Sequence, residues 1–148
     1  MLQEQERIEM NNPPYEELKI SRFIFDNEVQ KDRLVTDVYK LKLTDQWRDK
    51  LQEMYDLDVF EYYGEMCTQG SIVDRYKFAA VVWALLNGAG HVFSEDETIS
   101  LVETAVNHLG LDRLAMVVLA ALTAALMPPE AYEDFKMTVL SYGNQVSF

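Results

Sequence analysis

A mostly α-helical fold preceded by a small antiparallel β-hairpin follows from three features of the chain. Between Ser71 and Met127 a capping residue, an apolar stripe at helical spacing and a stop signal recur three times. Residues 114–127 are apolar on every side, broken only by Thr123. Ahead of them, residues 34–43 alternate at period two. A helix apolar all round has to be surrounded by other elements. The expected architecture is therefore α+β: a compact helical domain around a central apolar helix at 112–127, with a hairpin at approximately 19–43.

Residues 1–15 read as a flexible acidic tail, because Glu4, Glu6, Arg7 and Glu9 crowd its start and Asn11-Asn12-Pro13-Pro14 punctuates its end. Residues 16–148 suit a single domain. Ile20, Phe23, Ile24 and Phe25 are β-formers, and Asp26-Asn27-Glu28 offers a turn. After a connection through Asp37, Tyr39, Leu41 and Leu43 face one way and Val38, Lys40 and Lys42 the other, as in a half-buried strand with an exposed edge. Thr44-Asp45 caps a helix with Trp47, Leu51, Met54 and Tyr55 on one face, fading near Asp56. A helix over residues 59–67 carries Phe60, Tyr62, Tyr63 and Met66 and stops at Gln69-Gly70.

Ser71 and Asp74 have the serine-x-x-acid spacing that opens a helix, here with Ile72, Tyr76, Ala79, Trp83 and Leu86 as its stripe and Asn87-Gly88-Ala89-Gly90 as its end. Ser94 and Glu97 form a second capping box, before Ile99, Val102, Val106 and Leu109 and a stop at Gly110. Asp112 caps the apolar helix. Pro128-Pro129 breaks the chain, and Tyr132, Phe135 and Val139 mark a short final helix before Gly143-Asn144. Such short connections pack neighbouring helices antiparallel.

The formal net charge of −12 repels phosphates and anionic membranes, so neither nucleic acid nor a membrane is an expected partner. It fits a surface kept dispersed by self-repulsion, or one that prefers basic proteins. The lone Cys67 can form no intramolecular disulfide and suits a reducing cytoplasm. Residues 1–12 have no apolar signal-peptide core, and the apolar run at 114–127 is shorter than the roughly 20 residues needed to span a bilayer.

Little points to catalysis. His91 falls in a loop and His108 at a helix end, where a cation suits the dipole, and neither has metal-ligand spacing. Ser94-Glu95-Asp96-Glu97 is explained by capping; a calcium loop needs spaced ligands, a turn glycine and a distant bidentate acid. Asp45, Asp49, Asp56 and Asp58 read as a solvated face. Glu65 beside Cys67 disfavours its thiolate. Gly88-Ala89-Gly90 lacks the lysine of a phosphate loop. No catalytic, cofactor or metal residue is expected. The one site-like feature is the aromatic cluster at 47–63, from which Tyr55, Phe60, Tyr62 and Tyr63 are the expected partner-binding residues. Tyr62 and Tyr63 point in different directions on a helix, so at least one should be exposed.

The order of features from Val38 onward resembles the tail assembly chaperones of long-tailed bacteriophages and gene transfer agents. It is carried by Val38-Tyr39-Lys40-Leu41-Lys42-Leu43-Thr44, the helix through Trp47 and Leu51, and the spacer to Gly70. Ile72-Val73-Asp74-Arg75-Tyr76-Lys77-Phe78-Ala79-Ala80-Val81-Val82-Trp83-Ala84-Leu85-Leu86 follows. The capped turn Ser94-Glu95-Asp96-Glu97 and the Gly110-Leu111-Asp112 step into the apolar helix complete it. The resemblance implies a non-enzymatic protein of the host bacterial cytoplasm. Such a protein needs no cofactor, binds a tape measure protein, recruits tail tube subunits, and is often also made in a longer, frameshifted form. Other readings compatible with the residues are an acidic inhibitor of the DNA-mimic type, a structural tail completion protein and a small enzyme. Self-association is left open.

Overall fold

Residues 15–69 and 74–146 are described in a computed structural model. They form an antiparallel hairpin, β1 (Glu16–Asp26) and β2 (Lys31–Leu41), followed by six helices. These are α1 (Asp45–Tyr55), α2 (Val59–Gln69), α3 (Arg75–Gly88), α4 (Glu95–Leu109), α5 (Leu111–Leu126) and α6 (Pro129–Val146). The fold is the expected α+β arrangement. The tail assigned to residues 1–15 falls, up to residue 14, outside the described residues, as do Ser71, Ile72 and the side chain of Val139.

The strands pair without a bulge from Glu16 opposite Leu41 to Asp26 opposite Lys31. The long connection expected between them is in fact a four-residue turn, Asn27 to Gln30, with Gln30 in the left-handed region at φ 55°. The Asp26 carboxylate accepts from the Glu28 N–H at 3.0 Å, which sets the start of the turn. Residues 31–33, ahead of the period-two stretch read at 34–43, are strand as well.

Capping chemistry fixes most helix ends. The Thr44 hydroxyl accepts from the Trp47 N–H, and α1 ends where Asp56 turns left-handed at φ 51°. Ser94 and Glu97 make the reciprocal box at the start of α4. Two expected caps are corrected. Asp74 is itself the N-cap of α3, accepting from the Tyr76 and Lys77 N–H groups, and not the third residue of a box opened by Ser71. Asp112 lies inside the first turn of α5; the cap position is Gly110, at φ 88°, a conformation that favours glycine. The final helix is longer than expected and runs through Gly143 to Val146.

The core is built on two helices. The expected central helix α5 buries Leu114, Val118, Ala121 and Leu122 completely and packs on β1, α2, α4 and α6. It shares the centre with α3, in which every side chain from Ala80 to Leu86 is buried, against β2, α1 and α4. On the α1 face Met54 and Tyr55 are exposed, and the stripes of α3 and α4 each differ from expectation at one position. Tyr76 lies on the first turn of α3 and is 87% exposed. On α4 the innermost residues are Thr98, Leu101 and Ala105, which turns Ile99 to the surface.

The hairpin joins this body only at its base. Leu18, Ile20 and Leu41 are buried, and β1 packs on α4 and α5. The chain leaving β2 is held by α3: the Lys42 N–H donates to the Leu85 carbonyl at 3.0 Å. Gly88 makes that approach possible, since a Cβ there would lie 2.1 Å from the Lys42 carbonyl oxygen. On the other side the Tyr132 hydroxyl of α6 donates to the Glu16 carboxylate.

Candidate functional site

The aromatic cluster divides into core and surface. Trp83 on α3 takes Trp47 edge-on at 5.1 Å and Tyr55 at 5.9 Å between ring centroids. Its indole N–H donates to the Phe93 carbonyl at 3.1 Å, and the Asn87 side chain bridges the same segment through Trp83 and Phe93. These bonds satisfy the polar groups of a wide aromatic joint between α1, α3 and the loop before α4.

The four expected contact residues fare differently. Tyr62 is 4% exposed, packed in the core, and its hydroxyl has no hydrogen-bond partner among the described residues. Burial, with Asp74 and Glu65 nearby, raises its pKa well above the ordinary tyrosine value. Tyr63 is half-buried and shares a 2.9 Å hydrogen bond with the Thr123 hydroxyl of α5. Neither tyrosine is exposed, against the expectation for the pair, because α2 is clasped by α5 on one side and α1 on another. Phe60 is exposed beside the Arg48 guanidinium.

Tyr55 is partly exposed and lines a cleft of about 240 Å³ between the end of α1, the first half of α3 and the start of α4. Tyr76, Trp83, Ile99 and Glu95 contribute most of its character. Burial and a hydrogen bond to the Glu95 carboxylate push the Tyr55 pKa up to about 12, so this hydroxyl is a neutral donor at physiological pH. The cleft is smaller than the roughly 300–1,000 Å³ typical of small-molecule pockets, and its rim is apolar. It is shaped for a side chain or a helix face. Tyr76 and Ile99 join this site only in the structure; the sequence marked both as core.

A second surface is the outer part of the hairpin. Beyond Ile20 and before Leu41, Phe23, Phe25 and Leu34 stand more than half exposed, with Ile24 and Val38 also at the surface. Residues 16–41 carry six acids and five bases, whereas residues 42–148 carry sixteen acids and seven bases. The hairpin is thus the near-neutral part of an acidic protein.

His91 is tied to the hairpin: its Nε2 accepts from the Lys40 N–H at 3.0 Å, and its ring meets Tyr39 and Phe93 edge-on. His108 sits exposed in the last turn of α4. Cys67 is exposed. Among the described residues no three of His, Cys, Asp and Glu gather at metal-binding distance, and no helix is long and apolar enough to cross a membrane. Comparison with family models, curated proteins and solved structures gives no match to this chain.

Proposed function

We propose that this protein is a non-enzymatic adaptor of the tail assembly chaperone type, which shields apolar helices of a tape measure protein and brings tail tube subunits to it. The observation that supports this reading is the aromatic-rimmed cleft of Tyr55, Tyr76, Trp83 and Ile99, set in a strongly acidic helical body. An amphipathic helix binds in this way when its apolar anchors enter a groove and its basic flanks meet carboxylates. Tyr55 and Glu95 supply a polar pair at the mouth, which orients such a helix without closing the cleft. Net repulsion between acidic bodies keeps many copies apart along one long client.

Co-expression with a tape measure protein and a tail tube protein of a long-tailed bacteriophage tests the reading. The expected result is a soluble complex that co-purifies, weakened at least about tenfold by Tyr76→Asp or Ile99→Asp, since central apolar anchors dominate such contacts. Both side chains are exposed, so neither change disturbs the core. A tape measure protein that stays insoluble and unbound in the presence of this chain overturns it.

A further inference from the structure

Among the described residues the outer edge of β2 is open, and on its Thr36 face positions 32–40 are complementary to themselves. The Lys40 and Lys42 N–H groups point away from β1, to His91 Nε2 and the Leu85 carbonyl. Because the ladder has no bulge, the N–H groups of Asp32, Leu34, Thr36 and Val38 point the same way. None of these four has a partner among the described residues. His91 therefore marks the end of a free edge spanning residues 32–38. Such an edge, unblunted by proline or bulge, is a template for another strand. A lone two-stranded hairpin is also marginal in water, and this one carries Phe23, Phe25 and Leu34 outside the core.

We propose that the occupant is a second copy of this chain, paired antiparallel through β2 about a two-fold axis at Thr36, so that the two hairpins form one four-stranded sheet. About that axis Thr36 meets Thr36 once, Leu34 meets Val38 of the second copy twice, and at each end the Asp32 side chain comes beside the Lys40 side chain of the second copy, whose N–H is already held by His91. On the same face Phe23, which lies opposite Leu34 within the hairpin, extends the apolar row. On the other face Arg33 meets Tyr39 of the second copy. Every outward backbone group from Leu34 to Val38 is then paired, Asp32 and Lys40 face an opposite charge, and Asp37 meets Val35 of the second copy. The outer edge of β1 has no such symmetry: about Ser21, Lys19 would meet Phe23 and Glu17 would meet Phe25. The near-neutral hairpin is also where two acidic molecules approach with least repulsion.

Disulfide trapping in the Cys67→Ser background reads the register directly on the purified protein. Thr36→Cys is expected to give a cross-linked dimer under mild oxidation. Leu34→Cys alone should give none, because its two copies would lie about 13 Å apart, beyond the roughly 7 Å limit for a bridge. Leu34→Cys mixed with Val38→Cys should cross-link. In light scattering, Thr36→Pro removes the central outward N–H but no bond of the β1–β2 ladder, and should weaken the dimer at least about tenfold. If that variant misfolds, Asp32→Lys should weaken association and Asp32→Lys with Lys40→Asp should restore it. A protein that is monomeric at several hundred micromolar (on the order of the weakest useful self-association,) overturns the proposal. So does a dimer indifferent to Thr36→Pro and Asp32→Lys, or self-cross-linking of Leu34→Cys. No tail protein is present in these experiments, so their outcome is independent of the adaptor reading.

Discussion

The two ends of the hairpin share one ladder and similar residues, yet only one end is held. At the base, Leu18, Ile20 and Leu41 are sealed beneath α3, α4 and α5, and Glu16 and Lys42 are bonded to the helices. At the tip, Phe23, Phe25 and Leu34 meet solvent. Strand formation and burial are thus separate outcomes here. The ladder needs only a turn and a register, whereas burial needs a third element at the right height.

Substitution of leucine by alanine at the two ends separates them most sharply. Leu41→Ala should cost about 2–5 kcal/mol of stability, since it opens a cavity at a fully buried position. Leu34→Ala should change the unfolding free energy of the monomer by no more than about 0.5 kcal/mol. Urea titrations of the two variants, at concentrations low enough to exclude self-association, make the measurement. Equal losses would mean that the tip is also packed against the body.

Next in size is Gly88→Ala. The new methyl would strike the Lys42 carbonyl, so either α3 or the end of β2 has to move, at a cost of about 1–3 kcal/mol. Hydrogen exchange should show the loss of protection concentrated at the Lys42 N–H and the base of the hairpin. His91→Ala should cost less, about 0.5–1.5 kcal/mol, by leaving the Lys40 N–H without its acceptor. Tyr62→Phe, in the helical body, should raise stability by up to about 1 kcal/mol, because it removes a buried hydroxyl without a hydrogen-bond partner among the described residues. A fall in the urea midpoint for that variant would show that the hydroxyl has a partner after all.

At neutral pH the smallest effect comes from the tyrosines, and it grows only in alkali. Burial and the Glu16 carboxylate raise the Tyr132 pKa well above 10, and Tyr55 rises to about 12. The folded state therefore holds these protons more tightly than the unfolded chain does. The stabilisation is complete below pH 10 and is lost as pH rises through the folded values. Tyrosinate absorbance should appear late and together with unfolding, and Tyr132→Phe should move the loss of structure at the hairpin base to a different pH.

Much of this was legible from residue order. Thr44, the Ser94–Glu97 box, the stop at Asp56 and the turn at Asp26-Asn27-Glu28 all carry local chemistry that needs no tertiary partner. What escaped reading depends on neighbours. Residues 31–33 hide their strand because all three side chains are charged and exposed, so no alternation of apolar and polar residues marks them. Tyr76 shares a helical stripe with Trp83, but spacing reports only which residues share a face, not how far along the helix that face is covered. Asp74 was legible as part of a helix start, though not as the cap residue itself. Among the candidate contact residues, Tyr55 and Phe60 keep exposed surface. The separation of Tyr62 from the surface follows from α5, a helix some fifty residues later in the chain.

The bond between Glu16 and Tyr132 spans nearly the whole polypeptide. A ribosome delivers the hairpin first and the helices that cover its base last, so Leu18 and Ile20 wait uncovered until α4 and α5 have emerged, and Glu16 until α6 follows. Until those helices follow, the nascent hairpin thus presents a sticky ribbon with no lid.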